Sequence, residues 1–477
     1  MSSSKVKARH EPATAASPWK VLGISSLAVF AVLLDALVLF VAFPSIQERF
    51  SGTSAAGLSW VLNAYTIVYG ALLVPAGRFA DLIGRRRMFL LGVTTFTLAS
   101  VACAFAPSLP WLIAMRVVQA IGGAMLTPSS LALALAAFPP AKRPIAVTLW
   151  AAVGAVAVLV GPPAGSMIVQ VAGWRGIFFL NIPIGLVAWI MGRANLVESR
   201  DDARGAIPDL LGTSLLIASV ALLAFGVVES EGAGWLNVRT GGAVAVGTVL
   251  LLAFLQRSRR SAAPALDLEL FRDVNFARAN IGLFVFSIAF SALFLNAVYF
   301  LTRVWHFTLV EAGLAMMPGP LMVVALAPIA GRIASKRGHR VLLVPGGLLY
   351  AAGSLLLILR ATLTPEYAAL YLPATMISGV GVALVLPMLS SAAVRHLPPS
   401  ELAVGSGVAT AIRQFGTVLG VALVLAMLGR APEGIGPFRN VWLLMSACGA
   451  LVSVIALGID ATPRDNAAHG DLRRAEA

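Results

Sequence analysis

Charge is scarce in this sequence. Only 12% of the 477 residues are Asp, Glu, Lys or Arg, while 59% are hydrophobic and the mean hydropathy is +0.89; an ordinary soluble domain carries roughly 25% charged residues. That shortage excludes a water-soluble globule and leaves a polytopic membrane protein. Period-two alternation is missing too. The apolar runs are continuous over about 20 residues, which excludes a transmembrane β-barrel and makes the fold all-α. Cysteine is limited to Cys103 and Cys448, both inside apolar segments, so there is no disulfide framework. Five histidines and these two thiols offer no metal cluster. A Gly-x-x-x-x-Gly-Lys-Ser/Thr phosphate loop is absent as well. The chain is therefore read as neither an ATPase nor any other enzyme, with no cofactor and with an ion gradient as its energy source.

The charge that is present is mostly basic, with a formal net of +14. Its distribution argues against nucleic acid. Of 35 lysines and arginines, 26 fall in segments assigned to one side of the membrane, 7 on the other, and two (Arg116 and Arg413) inside apolar segments. Such asymmetry is the positive-inside signal, with weak attraction to anionic lipid as a by-product. Its densest point is Gly77-Arg78-Phe79-Ala80-Asp81-Leu82-Ile83-Gly84-Arg85-Arg86-Arg87, a loop too short to be a domain and expected in the cytoplasm. Gly331-Arg332-Ile333-Ala334-Ser335-Lys336-Arg337-Gly338-His339-Arg340 repeats it without a gap, sharing Gly77/Gly331, Arg78/Arg332, Ala80/Ala334, Gly84/Gly338 and Arg86/Arg340. The chain therefore reads as two related halves.

Hydropathy broken at Gly/Pro and charged clusters predicts fourteen spans. Six (21–44, 58–76, 88–106, 110–132, 145–170, 176–194) form a first bundle over 21–196. Two more (209–228, 241–256) lie in an inserted region, 197–278. Six (279–301, 311–331, 341–360, 368–390, 403–429, 440–459) form a second bundle over 279–459. The loop and its copy follow the second and tenth spans, an offset of eight, so the arrangement is 6+2+6. Residues 1–20 and 460–477 are expected as cytoplasmic tails; the first apolar segment is too long for a signal-peptide core. Similar halves with a site between them at mid-membrane are the pattern of secondary transporters.

Asp35 is the one ionisable residue between Val21 and Phe43. A carboxylate there costs roughly 2.5–3.5 kcal/mol on insertion scales, which marks it as a protonation site facing an aqueous cavity or, failing that, an interhelical hydrogen bond. Arg116 is its expected partner: nine residues before Pro44, Asp35 lies about 14 Å below the outer boundary, and Arg116 about 9 Å below it. Movement that changed their separation would load or release a proton. Gly161-Pro162-Pro163-Ala164-Gly165 in the fifth span predicts a kink that serves as a hinge or seal. Asp81, the one anion of its loop, is expected to pair with a basic group or cap the third helix. Gly77, Asp81, Gly84, Arg85, Arg86, Gly161, Pro162 and Gly165 are thus candidates for conformational gating. Phe40, Asn63, Tyr65, Gln119, Asn296, Tyr299, Arg413 and Gln414 are candidates for the substrate cavity; Arg413 needs a carboxylate, a carbonyl or water.

These residues resemble the major facilitator superfamily, and within it the fourteen-helix drug:proton antiporters, over nearly the whole chain. The Gly77–Arg86 loop is similar to the superfamily's loop signature, Arg116 to Ala124 to its helix-four motif, and Ala157 to Ser166 to the antiporter motif of helix five. Leu34-Asp35 through Pro44, and Trp174 to Gly185, resemble the fourteen-helix branch. Departures include Leu37 and Phe40 where a hydroxyl and an asparagine are usual, Leu82 for a basic residue, and Ala157 and Ser166 for glycines. The resemblance implies a monomeric, multi-pass protein of the bacterial inner membrane, with both tails cytoplasmic. Its implied function is exchange of protons for hydrophobic or amphiphilic drugs, cationic ones included, by alternating access. The same scaffold exporting one endogenous metabolite, or acting as a non-transporting sensor, are the alternatives.

Overall fold

The computed structural model describes residues 17–200, 208–234, 237–261, 264–398, 401–429, 432 and 434–459. Most of both expected tails, and Asp201–Arg204 of the connection after the first bundle, lie outside these residues. The helices are α1 (Pro18–Arg49), α2 (Ala55–Ile83), α3 (Arg85–Ala104), α4 (Leu109–Ala137), α5 (Arg143–Phe179), α6 (Asn181–Asn195), α7 (Leu210–Ala233), α8 (Val238–Ser258), α9 (Val274–Tyr299), α10 (Leu309–Arg337), α11 (Arg340–Arg360), α12 (Tyr367–Ala393), α13 (Leu402–Leu428) and α14 (Gly436–Ala456). Helical structure begins at Pro18, so Trp19 and Lys20, expected in the tail, belong to α1. Proline suits that first position because its missing N–H has no helical partner there.

Thirteen apolar helical runs are long enough to cross a membrane among the described residues, and one of them, Ile145–Asn195, has 51 residues. At 1.5 Å per residue that run would stretch about 77 Å, more than twice the roughly 30 Å of hydrocarbon. Gly173, with φ +66°, breaks the run inside α5, the stretch after it continues into α6 as a separate crossing, and the crossings become fourteen. The repeated glycines do a related job. Gly84 (φ +115°) ends α2 with its N–H on Ala80 O at 3.0 Å, and Gly338 (φ +81°) ends α10 with its N–H on Ala334 O at 2.9 Å. Both adopt a backbone conformation that a side chain disfavours, which is why glycine recurs at this place. The helix starts are capped locally: Ser54 accepts from Gly57 N, Asp209 from Gly212 N, Asp273 from Phe276 N, and Thr308 forms a reciprocal box with Glu311. One departure from the expected spans is α10, where a turn at Met316–Met317 separates Leu309–Ala315 from Pro318–Arg337. Pro318, unable to donate a hydrogen bond, opens the second piece.

In the first half α1 packs on α5 and α6, α2 on α4, and α3 on α4 and α6; adding eight to each number gives the pairings of α9–α14. The halves meet through α2 against α13 and α5 against α10, two contacts that exchange when the halves are exchanged. The inserted pair stands outside this symmetry. α7 lies against both α2 and α13, burying Ile67, Ala224, Val228, Val418 and Ala422 in one cluster, and α8 packs on α7. Bidentate contact of Arg257 with Asp209, at 2.9–3.0 Å, ties the end of α8 to the start of α7.

At the arginine-rich end, His339 joins α11 to α12. Arg395 can only donate, so its 3.4 Å contact makes His339 Nδ1 an acceptor and leaves Nε2–H to donate to Ser391 Oγ at 3.0 Å. Burial, followed by the charges of Arg395 and His396, lowers His339 from the ordinary imidazole value to about 4. The folded protein thus resists a proton that the unfolded chain accepts below pH ~6.5. Melting temperature is expected to be insensitive to this group above pH ~6.5 and to fall as the pH drops from there toward 4. His339→Gln should flatten that part of the profile in a pH series of thermal melts, and an unchanged slope would show that His339 is not its source.

Candidate functional site

Asp35 sits near the middle of α1 and Arg116 one third along α4, and the structure brings them together. Arg116 Nη1 donates to Asp35 Oδ2 at 2.5 Å, and both side chains are 1% exposed. Two amides complete the shell of the carboxylate: Gln119 Nε2 donates to Oδ1 at 2.9 Å, and Asn181 Nδ2 donates to the same oxygen at 2.7 Å. Gln119 Oε1 in turn accepts from Arg116 at 2.8 Å, and Arg116 Nε donates to Val61 O at 3.3 Å. Asn181 also donates to Ser100 Oγ, which donates to Phe178 O. Every group facing Asp35 is a donor, so this shell is built for the carboxylate.

Of the pair, Arg116 reaches the cavity wall and Asp35 does not, contrary to the sequence expectation for the carboxylate. Between the halves lies a space of about 470 Å³ lined by Phe40, Tyr65, Tyr69, Arg116, Gln414 and Thr417 among others, and Asp35 is not on its wall. Tyr65 lines the same wall, its ring 4.1 Å from the Arg116 guanidinium carbon and its hydroxyl without a hydrogen bond. Four expected cavity residues are corrected on the same ground. Gln119 is fully buried with its amide committed to Asp35 and Arg116, Asn63 and Asn296 are buried with no place on the wall, and the Tyr299 hydroxyl donates to Gln47 at the far end. Phe40, Tyr65 and Gln414 do line the space, and Arg413 lies beside it. A second, more apolar space of about 450 Å³ is enclosed by α9, α10 and α12, with Phe290, Phe294, Tyr371 and Thr375 on its wall. Phe40 and Phe294 stack at 6.1 Å between the two.

The end of the molecule opposite the arginines is closed. Besides Phe40–Phe294 and Gln47–Tyr299, Glu48 pairs with Arg303 at 2.9 Å, holding α1 to α9. On the other side of the axis α5 meets α10 at Gly313, where an added Cβ would lie 2.3 Å from Ser166 Oγ and 2.8 Å from Pro162 O. Pro162 and Ser166 therefore line the seam between halves. Gly161 and Gly165 instead face Leu37 and Val38 of α1 within the first half.

At the arginine-rich end Asp81 pairs with Arg85 (2.8 Å), one of its two expected roles, and does not cap α3. Glu198 does that: its carboxylate accepts the backbone N–H of Arg86 at 3.0 Å and of Arg87 at 3.2 Å, and lies over Gly84 where a Cβ would collide with it. Arg86 Nη2 answers by donating to Arg193 O at 2.9 Å, and Gly77 faces Pro128 of α4. The sequence reading left Glu198 as part of a charged connection, and only its distance from an anionic-cap motif concealed it. Loss of such a cap costs about 1 kcal/mol. Glu198→Gln should speed hydrogen exchange of the Arg86 and Arg87 amides several-fold, with exchange at wild-type rates counting against the cap.

A family model described as Major Facilitator Superfamily matches residues 25–421. The chain is 34% identical over 405 residues to the Multidrug resistance protein Stp of Mycobacterium tuberculosis, covering 85% of this chain and 74% of the relative. It is 29% identical over 418 residues to the Tetracenomycin C resistance and export protein of Streptomyces glaucescens, covering 87% and 77%. Among solved structures, that of a POT family transporter in complex with 5-aminolevulinic acid superposes with a TM-score of 0.68 at 15% identity, covering 92% of this chain and 95% of the other.

Proposed function

The chain belongs to the Major Facilitator Superfamily, and from that premise we propose that it is a proton-coupled antiporter exporting hydrophobic and amphiphilic compounds by alternating access. It is a multi-pass membrane transporter and not an enzyme. The arginine-rich end is assigned to the cytoplasm by the positive-inside rule, which places both termini there. The named bacterial relatives support the inner membrane as its location and drugs or antibiotics as its cargo.

One observation supports the coupling: a carboxylate nearly sealed from solvent is paired with a guanidinium whose residue lines the cavity between the halves. Burying such a pair is expensive and stabilises poorly, so the arrangement suits a state that is meant to be left. In this reading Tyr65 and Arg116 move when substrate enters, Asp35 meets water and takes up or gives up a proton, and the seam at Phe40–Phe294 and Gly313 opens on the alternate stroke. One proton crossing 100 mV contributes about 2.3 kcal/mol. Arg116 neutralises Asp35, so the pair offers a cationic ligand no net negative charge.

Proton release on adding a panel of lipophilic compounds to purified protein tests the reading. Wild type should release protons on binding and Asp35→Asn should not; equal binding to both with no release would leave a uniporter or a binding-only protein.

A further inference from the structure

Arg413 is the charged group at mid-depth that the coupling scheme does not use. It stands near the middle of α13, half-buried, and its side chain forms no hydrogen bond and no ion pair with any described residue. Arg116, the other arginine inside a span, is hydrogen-bonded to Asp35, Gln119 and Val61. The charge of Arg413 is in electrostatic reach of Tyr69, whose hydroxyl is already bonded to Thr127 at 3.0 Å. Gln414, the next residue, lines the cavity with Thr417, whose hydroxyl holds the Arg413 carbonyl at 3.1 Å. No acid lies within a span of its own half among the described residues: between 279 and 459 the acids are Glu311, Glu366, Glu401 and Glu433, and the first three are at helix ends or in connections. Asp35 is committed elsewhere. An uncompensated cation at this depth is costly and needs a partner that comes and goes.

We propose that Arg413 receives the acidic group of the exported compound, so that the cavity selects amphiphilic anions, carboxylates and ionised phenols, over cations of the same shape. A planar guanidinium matches the two oxygens of a carboxylate better than a lysine would. The rings of Phe40, Tyr65 and Tyr69 take the apolar body, and Gln414, Thr417 and Thr66 offer hydrogen bonds beside it. This rests on the export reading above and names the class of its substrate.

The test is equilibrium binding of 2-naphthoate, 2-naphthamide and 2-naphthylmethylammonium, three probes with one ring system and different charge, to the purified full chain. Wild type is expected to prefer naphthoate over naphthamide by about tenfold, the size of one charge-assisted hydrogen bond to a ligand, and to bind the ammonium most weakly. Arg413→Gln should erase the preference, weakening naphthoate far more than naphthamide, and a wild-type-like thermal melt reports that the variant is folded. Arg413→Lys should keep part of it. No preference in wild type, a preference for the ammonium, or a naphthoate preference that survives in Arg413→Gln overturns the proposal. Asp35→Asn separates this from coupling: it should keep the naphthoate preference and lose proton release. A preference that depends on Arg413 in a wild-type protein releasing no protons would sink the antiport reading and leave the anion site standing.

Discussion

Reconstituted Asp35→Asn is expected to move substrate down its own gradient and to gain nothing from a pH gradient. One unit of ΔpH is worth about 1.4 kcal/mol per proton, so a wild-type protein exchanging one proton per substrate should build about a tenfold gradient for each unit, and the variant none. Asparagine is chosen because it keeps the shape and one acceptor. Its amide would face one of three donors, Arg116, Gln119 or Asn181, which costs about 1–3 kcal/mol for the unsatisfied contact and leaves the fold intact. Substrate exchange at near wild-type rate, beside a lost response to ΔpH, is the result that assigns the proton to Asp35. Retained ΔpH-driven accumulation would assign it elsewhere.

Arg116→Ala should be the most destabilising single change in the site. It leaves a carboxylate in a pocket that is 1% exposed, with Gln119 and Asn181 as its remaining donors, and breaking a buried pair from one side costs about 3–5 kcal/mol. Truncation also removes the surface on which the Tyr65 ring rests. Asp35→Asn combined with Arg116→Ala removes both charges and should recover part of that loss, so a double-mutant cycle on melting in detergent is expected to give a coupling of about 1–3 kcal/mol. Additive effects would mean that the two side chains do not sense each other.

Much of this site is legible before any coordinates. Fourteen apolar stretches, a repeated loop at an offset of eight helices and two opposite charges at similar depth lead to the fold and to the Asp35–Arg116 pair, because burying charge in hydrocarbon leaves few alternatives. The repeat even anticipates its own cause, since Gly84 and Gly338 both end a helix with positive φ. Amides are harder to read. Gln119 and Asn181 look in sequence like any interhelical hydrogen bond, and nothing local says that both converge on Asp35; Asn181 arrives there across 146 residues. Glu198 caps α3 across 112 residues for the same reason. The stacking of Tyr65 on Arg116 at the cavity wall depends on side-chain direction, which hydropathy does not carry. Sequence pairs Asp35 with Arg116 but does not tell that Arg413 has no acid of its own half beside it, because that depends on which side chains the packing of α13 brings close.

The most direct measurement is infrared difference spectroscopy of the reconstituted protein as substrate is added, in wild type and Asp35→Asn. If Asp35 exchanges a proton for substrate, wild type should display a change in a protonated carboxylic acid band that is absent from the variant. A difference spectrum with no carboxylic acid component, or one identical in Asp35→Asn, would contradict the account, because the proton would then travel by another route.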